Sequence, residues 1–270
     1  MNEIMSTPVL TAFAITVGAA LATLLGWLTV VRARNTNPRL LAFGLSFAGG
    51  AMVYVSLVEI FVKSQIAFGD AFGPKLGYSA ATLAFFGGVA LLVLLDKFIP
   101  NPHGALIPPA PGTSETPRGN TILLRTSLFT TLAITAHNFP EGMATFFATL
   151  DNPSVGAPLA AAIAIHNIPE GISIAIPVYY ATGSRMQALF ATLISALAEP
   201  LGALIGYIIL APYLSPAVYG CVFGGIAGAM VYLALDELLP AARRYAKGHE
   251  TVYGIISGMA VLALSLVLFK

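Results

Sequence analysis

Long apolar runs alternate along this chain with short polar or Pro/Gly-rich breaks, and eight of the runs reach the length of a membrane-crossing helix, about 20 residues. They extend from Pro8 to Val31, Leu40 to Val62, Tyr78 to Ile99, Leu123 to Leu150, Val155 to Ala181, Met186 to Leu210, Ser215 to Pro240 and Val252 to Phe269. The runs are continuous and lack the ten-residue alternation of an outer-membrane barrel. The pattern predicts an all-α polytopic membrane protein of eight transmembrane helices. The chain opens MNEIMSTPVL, with no basic stretch and no small-residue cleavage site, so the first run reads as a span rather than a signal peptide.

Composition agrees and removes other classes. Of 270 residues, 57% are hydrophobic and 9% charged, too few charges to cover a soluble domain of that size. A net charge of +1 offers no basic face for nucleic acid. The single Cys221 rules out a disulfide framework within the chain and any Cys-rich metal site.

Charge placement predicts orientation. The connections 1-2, 3-4, 5-6 and 7-8 carry ten Lys and Arg, including Arg32, Arg34, Arg39, Lys97, Arg118, Arg125, Arg185, Arg243, Arg244 and Lys247. The opposite side carries Lys63, Lys75 and Lys270. By the positive-inside tendency both termini lie outside the cytoplasm. The longest connection, Asn101 to Thr121, is rich in Pro, Gly and Ser and reads as a disordered cytoplasmic linker. The expectation is one transmembrane domain over 1–270: spans one to three in 1–99, a linker at 100–122, spans four and five in 123–181, and spans six to eight in 186–270.

Two internal repeats sharpen the architecture. Gly50 to Glu59 reads GAMVYVSLVE and Gly228 to Glu237 reads GAMVYLALDE, identical at seven of ten positions on the oppositely directed spans two and seven. His137 to Gly142 reads HNFPEG and His166 to Gly171 reads HNIPEG, on the oppositely directed spans four and five. Antiparallel repeats predict a 3+2+3 inverted-repeat bundle of the transporter kind. Gly49, Gly50, Gly224, Gly225 and Gly228 are expected to permit close helix contact.

Ionisable groups at membrane depth cost at least about 2.5 to 3.5 kcal/mol each, so their positions carry information. His137, Glu141, His166, Glu170 and Glu199 stand near the middle of their spans, with no Lys or Arg at that depth. Three carboxylates without a fixed cation call for a bound metal or for protons. His and Glu at i, i+4 share a helix face, and Asn138 and Asn167 lie three residues from the same glutamates. Imidazole with carboxylate suits zinc and its first-row neighbours, whereas magnesium and calcium favour all-oxygen shells. A lone membrane histidine more often makes a helix-helix hydrogen bond. The duplicated H-N-x-P-E-G motif and a third acid favour metal.

Proline belongs to the same pattern. Pro140, Pro169 and Pro200 lack the N–H that would bond the carbonyls of Ala136, Ile165 and Ala196, so each helix is expected to bend there. Freed carbonyls at membrane depth imply a water-accessible path.

HNFPEG and HNIPEG on consecutive spans, followed by SALAEP at Ser195 to Pro200, resemble the ZIP (Zrt-, Irt-like) divalent-metal transporters, in particular the bacterial ZupT/GufA-type branch. The likeness covers essentially the whole chain. It implies two metal subsites on the transport path. One would use His137, Glu141, His166 and Glu170, with Met52 as a further ligand. The other would use Asn138, Glu141, Asn167, Glu170 and Glu199, with the first two glutamates bridging. Some relatives carry an acid where Asn167 stands, and an amide there should weaken the second subsite. The linker holds only His103, so metal sensing through that loop is not expected.

Glu59 at the outer end of span two and Asp236 with Glu237 at the inner end of span seven are expected at helix ends in the headgroup region, or at the mouths of the path. His249, Glu250 and Asp96 read as interfacial, and Asp151 as part of the turn between spans four and five.

The expected function is divalent-metal uptake into the cytoplasm. Zn2+ is the expected substrate, with Fe2+, Mn2+, Co2+ and Cd2+ carried less selectively, and with no organic cofactor. The resemblance implies the bacterial inner membrane. Expected partners are the metal ions and the lipid bilayer, with no nucleic acid; a homodimer is compatible with the sequence. One divalent ion against three carboxylates leaves −1, which a proton on Glu199 could cancel, so proton linkage is a hypothesis that pH-dependent uptake tests. The competing class is a zinc-dependent intramembrane hydrolase. It would need an open coordination position and a separate general base. H-E-x-x-H is absent, and two equivalent motifs leave no residue with a distinct acid-base role.

Overall fold

Proline starts much of this fold. Helices α3 (Pro38–Val55), α5 (Pro74–Asp96), α6 (Pro117–Asp151), α7 (Pro153–Thr182) and α9 (Pro216–Leu233) each begin at one. The first helical turn has no intrahelical use for that N–H, and the ring presets φ. The remaining helices are α1 (Thr7–Leu21), α2 (Thr23–Arg32), α4 (Phe61–Phe72), α8 (Arg185–Leu210), α10 (Leu239–Tyr245) and α11 (Glu250–Phe269). Asn152, Ser184 and Ser215 cap α7, α8 and α9, each side-chain oxygen accepting from a first-turn N–H. This computed structural model describes residues 6–32, 38–97 and 117–269.

The described residues form no strand, and the all-α expectation holds. Seven helical segments among them are long and apolar enough to cross a membrane, the longest running Arg39–Phe72. The expected fourth span, α6, has 35 residues but is not one of the seven. Its threonines and the H-N-F-P-E-G motif dilute its apolarity, and α7 and α8 pack against it. Polarity points inward: α8 exposes Phe190, Ile194, Leu197 and Leu201 while burying Ser195 and Glu199.

Several expected boundaries move. Helix α6 starts at Pro117, so residues 117–122 are helical rather than linker; Pro117 suits a helix start as well as a loop. The rest of the expected linker, with His103, lies outside the described residues, as do Arg34 and Lys270. Spans two and seven continue past their polar residues to Phe72 and Tyr245, so Glu59, Asp236 and Glu237 are not at helix ends. Asp151, expected in the turn between spans four and five, is the last residue of α6, and Asn152 alone separates it from α7.

The first inverted repeat is visible in the backbone. Ser56–Ile60 and Ala234–Leu238, in register within the repeat, are both π-helical turns inserted in long helices. The packing is paired in the same way: α3 lies along α11, and α9 along α5. A Cβ on Gly50 would run into the backbone of Ile255 on α11, and one on Gly228 into the backbone of Phe85 on α5. Gly225 differs from expectation, since a Cβ there meets nothing within 4 Å. Helix α6 packs along α7 and α8, and α2 along α7. Edge-to-face contacts of Phe146 with Phe13 and Tyr207, at centroid distances of 5.0 and 5.4 Å, join α6 to α1 and α8.

Candidate metal centre

The i, i+4 spacing places His137 and Glu141 on one face of α6, and His166 and Glu170 on one face of α7. Where the two helices pack, these faces meet. His166 Nε2 is 2.9 Å from Glu141 Oε1, and His137 Nε2 is 3.5 Å from Glu141 Oε1 and 3.6 Å from Glu170 Oε1. Ligand atoms of His137, Glu141 and Glu170 all lie within 4.8 Å of one another, and all three residues are buried. Met52, on α3 one turn before the π-helical segment, brings its Sδ to 2.6 Å from His137 Nε2. Pro140 and Pro169 stand inside helices that continue unbroken through the motifs.

The two asparagines anchor neighbouring helices. Asn138 Nδ2 donates to the Ser195 carbonyl at 3.1 Å and to Ser195 Oγ at 3.2 Å. Asn167 Nδ2 donates to the Ala19 carbonyl at 3.1 Å and to Glu199 Oε1 at 2.6 Å. Only an NH2 group can face a carbonyl oxygen favourably, so these contacts fix both amides with Oδ1 turned away. Neither Oδ1 has a hydrogen-bond partner.

The site is therefore rich in acceptors and poor in donors. Buried oxygens without a hydrogen bond include Asn138 Oδ1, Asn167 Oδ1, Glu141 Oε2, Glu199 Oε2 and both oxygens of Glu170. An unsatisfied buried oxygen is costly, and several that converge are best satisfied by one cation. The donor set is two imidazoles, carboxylates, amide oxygens and a thioether, which suits a borderline ion such as zinc better than magnesium or calcium.

Of the residues expected at the site, the fold brings His137, Glu141, His166, Glu170 and Met52 together and pairs Asn167 with Glu199, while Asn138 lies against Ser195. Met52, a mid-helix methionine of a kind more often packing than ligand, stands against His137. Two participants were not anticipated, the carbonyls of Ala19 and Ser195; backbone acceptors leave no mark in residue type. Glu59, expected at a helix end, is 5% exposed within the π-helical turn. It lines a cleft of about 620 Å³ with Lys63, Asp70, Asp151 and Tyr219. Glu250 behaves as an interfacial residue, accepting from the backbone N–H of Lys247 and Gly248 and pairing with Arg39 at 3.3 Å.

Comparison with known proteins bears on this site. A family model described as ZIP Zinc transporter matches residues 112–266. The chain is 60% identical over 259 residues to the "Zinc transporter ZupT" of Stenotrophomonas maltophilia (strain K279a), covering 96% of each chain. It is 60% identical over 270 residues to the protein of that name in Xanthomonas campestris pv. campestris, covering 100% of this chain and 98% of the relative. A third, from Lysinibacillus sphaericus (strain C3-41), is 46% identical over 263 residues, or 96% and 98% of the two chains.

Proposed function

Because the chain belongs to the ZIP zinc transporter family, we propose that it carries zinc across the bacterial inner membrane into the cytoplasm, through the buried site between α6 and α7. Family membership makes it a transporter rather than an intramembrane hydrolase. The observation that supports the site is the meeting of His137, Glu141 and Glu170 ligand atoms within 4.8 Å of one another, with buried oxygens of both glutamates lacking a hydrogen-bond partner. Relatives named zinc transporters support zinc as the substrate.

Each residue has a part in this reading. His137, Glu141, His166 and Glu170 take the ion as it sheds water, and Met52 adds a soft donor from α3. Asn138, Asn167 and Glu199, with Glu141 and Glu170 shared, form the adjoining position. The hydration of a divalent ion is replaced by fixed oxygens and nitrogens, so entry into the apolar layer becomes tolerable. Release follows when packing of the two halves changes and water reaches the site. Fe2+, Mn2+, Co2+ and Cd2+ fit the same donors and are carried less selectively. The excess of Lys and Arg on the odd-numbered connections supports termini outside the cytoplasm.

Radiolabelled zinc flux into sealed proteoliposomes tests the reading. Wild-type protein is expected to show saturable uptake, and the double variant His166→Ala, Glu170→Ala none. Absence of wild-type flux, or full flux in the double variant, would overturn it.

A further inference from the structure

The inverted repeat reaches spans one and six. Ala20 to Gly26 reads ALATLLG and Ala196 to Gly202 reads ALAEPLG, identical at five of seven positions, and the alignment sets Thr23 against Glu199. Two sets of contacts follow the same register. The asparagines of the paired motifs donate at 3.1 Å to Ser195 and to Ala19, the residues four before Glu199 and four before Thr23. The glycines that close the motifs lie against the same pair: a Cβ on Gly142 would strike the Glu199 backbone, and one on Gly171 the Thr23 backbone.

Thr23 is fully buried, and its Oγ1 has no hydrogen-bond partner. Among the buried helical threonines described, Thr16, Thr149 and Thr192 satisfy the hydroxyl on the carbonyl four residues back, whereas Thr145 and Thr251, like Thr23, do not. For Thr23 that carbonyl belongs to Ala19. It already accepts from the Asn167 amide and from the Ala22 N–H, at the break between α1 and α2. The break thus directs a backbone acceptor to the Asn167 amide and leaves the Thr23 hydroxyl without a partner, on a residue whose backbone lies against Gly171 of the second motif.

We propose that the Thr23 hydroxyl is a further cation-binding position on the transport path, the uncharged counterpart of Glu199 about the pseudo-twofold axis. It gives an oxygen to a partly hydrated divalent cation, directly or through one of the ion's waters. Charge explains why a hydroxyl stands there. A divalent ion with three carboxylates already leaves −1, and a fourth carboxylate would hold the ion too firmly to release. A neutral oxygen supports the ion on the α1–α2 side without deepening the well. This rests on the transport reading above and assigns that site an additional residue.

The test compares zinc uptake kinetics of Thr23→Val, Thr23→Ser and Thr23→Glu with wild type and Glu199→Gln in proteoliposomes. Thr23→Val, close in shape but without the hydroxyl, is expected to raise KM for zinc about tenfold. Thr23→Ser should stay near wild type, and Thr23→Glu should lower both KM and kcat. Thr23→Val kinetics equal to wild type would overturn the proposal, as would Thr23→Ser as impaired as Thr23→Val, which marks packing alone. Should Thr23→Glu fail to fold, Thr23→Cys in a Cys221→Ser background supplies a binding readout, since Cys221 is exposed and lies outside the site. Modification by a small hydrophilic methanethiosulfonate, slowed by zinc, supports the assignment; no modification, or modification indifferent to zinc, overturns it. Wild-type flux with unresponsive Thr23 variants sinks only this inference, whereas absent wild-type flux sinks the transport reading itself.

Discussion

Asn167 holds Glu199: its Nδ2 donates to one oxygen of that carboxylate at 2.6 Å, joining α7 to α8 within the buried site. The same nitrogen reaches the Ala19 carbonyl, so one amide ties three helices while its own oxygen stays free. Asn167→Asp would replace two donated bonds by contacts between acceptors. The metal-free variant is therefore expected to melt below wild type in detergent, and added zinc to raise its melting temperature by more than it raises that of wild type. Thermal unfolding with chelator and with zinc checks this, and an equal zinc effect in both proteins would contradict it.

Proton competition should govern uptake. Imidazole and carboxylate ligands bind metal only when deprotonated, so zinc uptake is expected to fall as pH is lowered through the range in which these groups take up protons. Glu199→Gln removes one of them and is expected to flatten the profile. A flat wild-type profile together with unchanged activity in Glu199→Gln would exclude proton linkage at this site.

Met52 brings its sulfur against His137. Thioether favours softer ions, so Met52→Leu should reduce apparent affinity for cadmium about tenfold and for zinc by less. Competition of cadmium against labelled zinc uptake measures the ratio. A ratio unchanged from wild type would return Met52 to a packing role.

Close backbone approach at the motif glycines predicts a sharp contrast between two alanine substitutions. Gly142→Ala puts a methyl group into the Glu199 backbone and is expected to destabilise by about 1 to 3 kcal/mol, lowering folded yield. Gly225→Ala has open space and should leave yield and melting temperature unchanged or slightly higher. Fluorescence-detected size exclusion on the two variants decides it.

The helices were legible because apolar runs of bilayer length have few other uses, and the site because ionisable residues at that depth are rare. His137, Glu141, His166, Glu170 and Glu199 declare themselves by cost, and their spacing assigns a helix face. Helix ends were less legible. Glu59 and Asp236 looked terminal because polar residues usually close a span, yet π-helical turns carry both helices past them. Helix α6 starts earlier than expected because Pro117 fits a loop and a first helical turn equally well.

By itself, then, the sequence determined the all-α class, the paired motifs and the donor types, since each follows from residue chemistry and local periodicity. Tertiary structure decided which donors meet. It set Met52 against His137, turned both asparagine amides toward the carbonyls of Ala19 and Ser195, and left the Thr23 hydroxyl without a partner. Those outcomes depend on contacts between distant helices and on backbone atoms that every residue shares, so no residue type announces them.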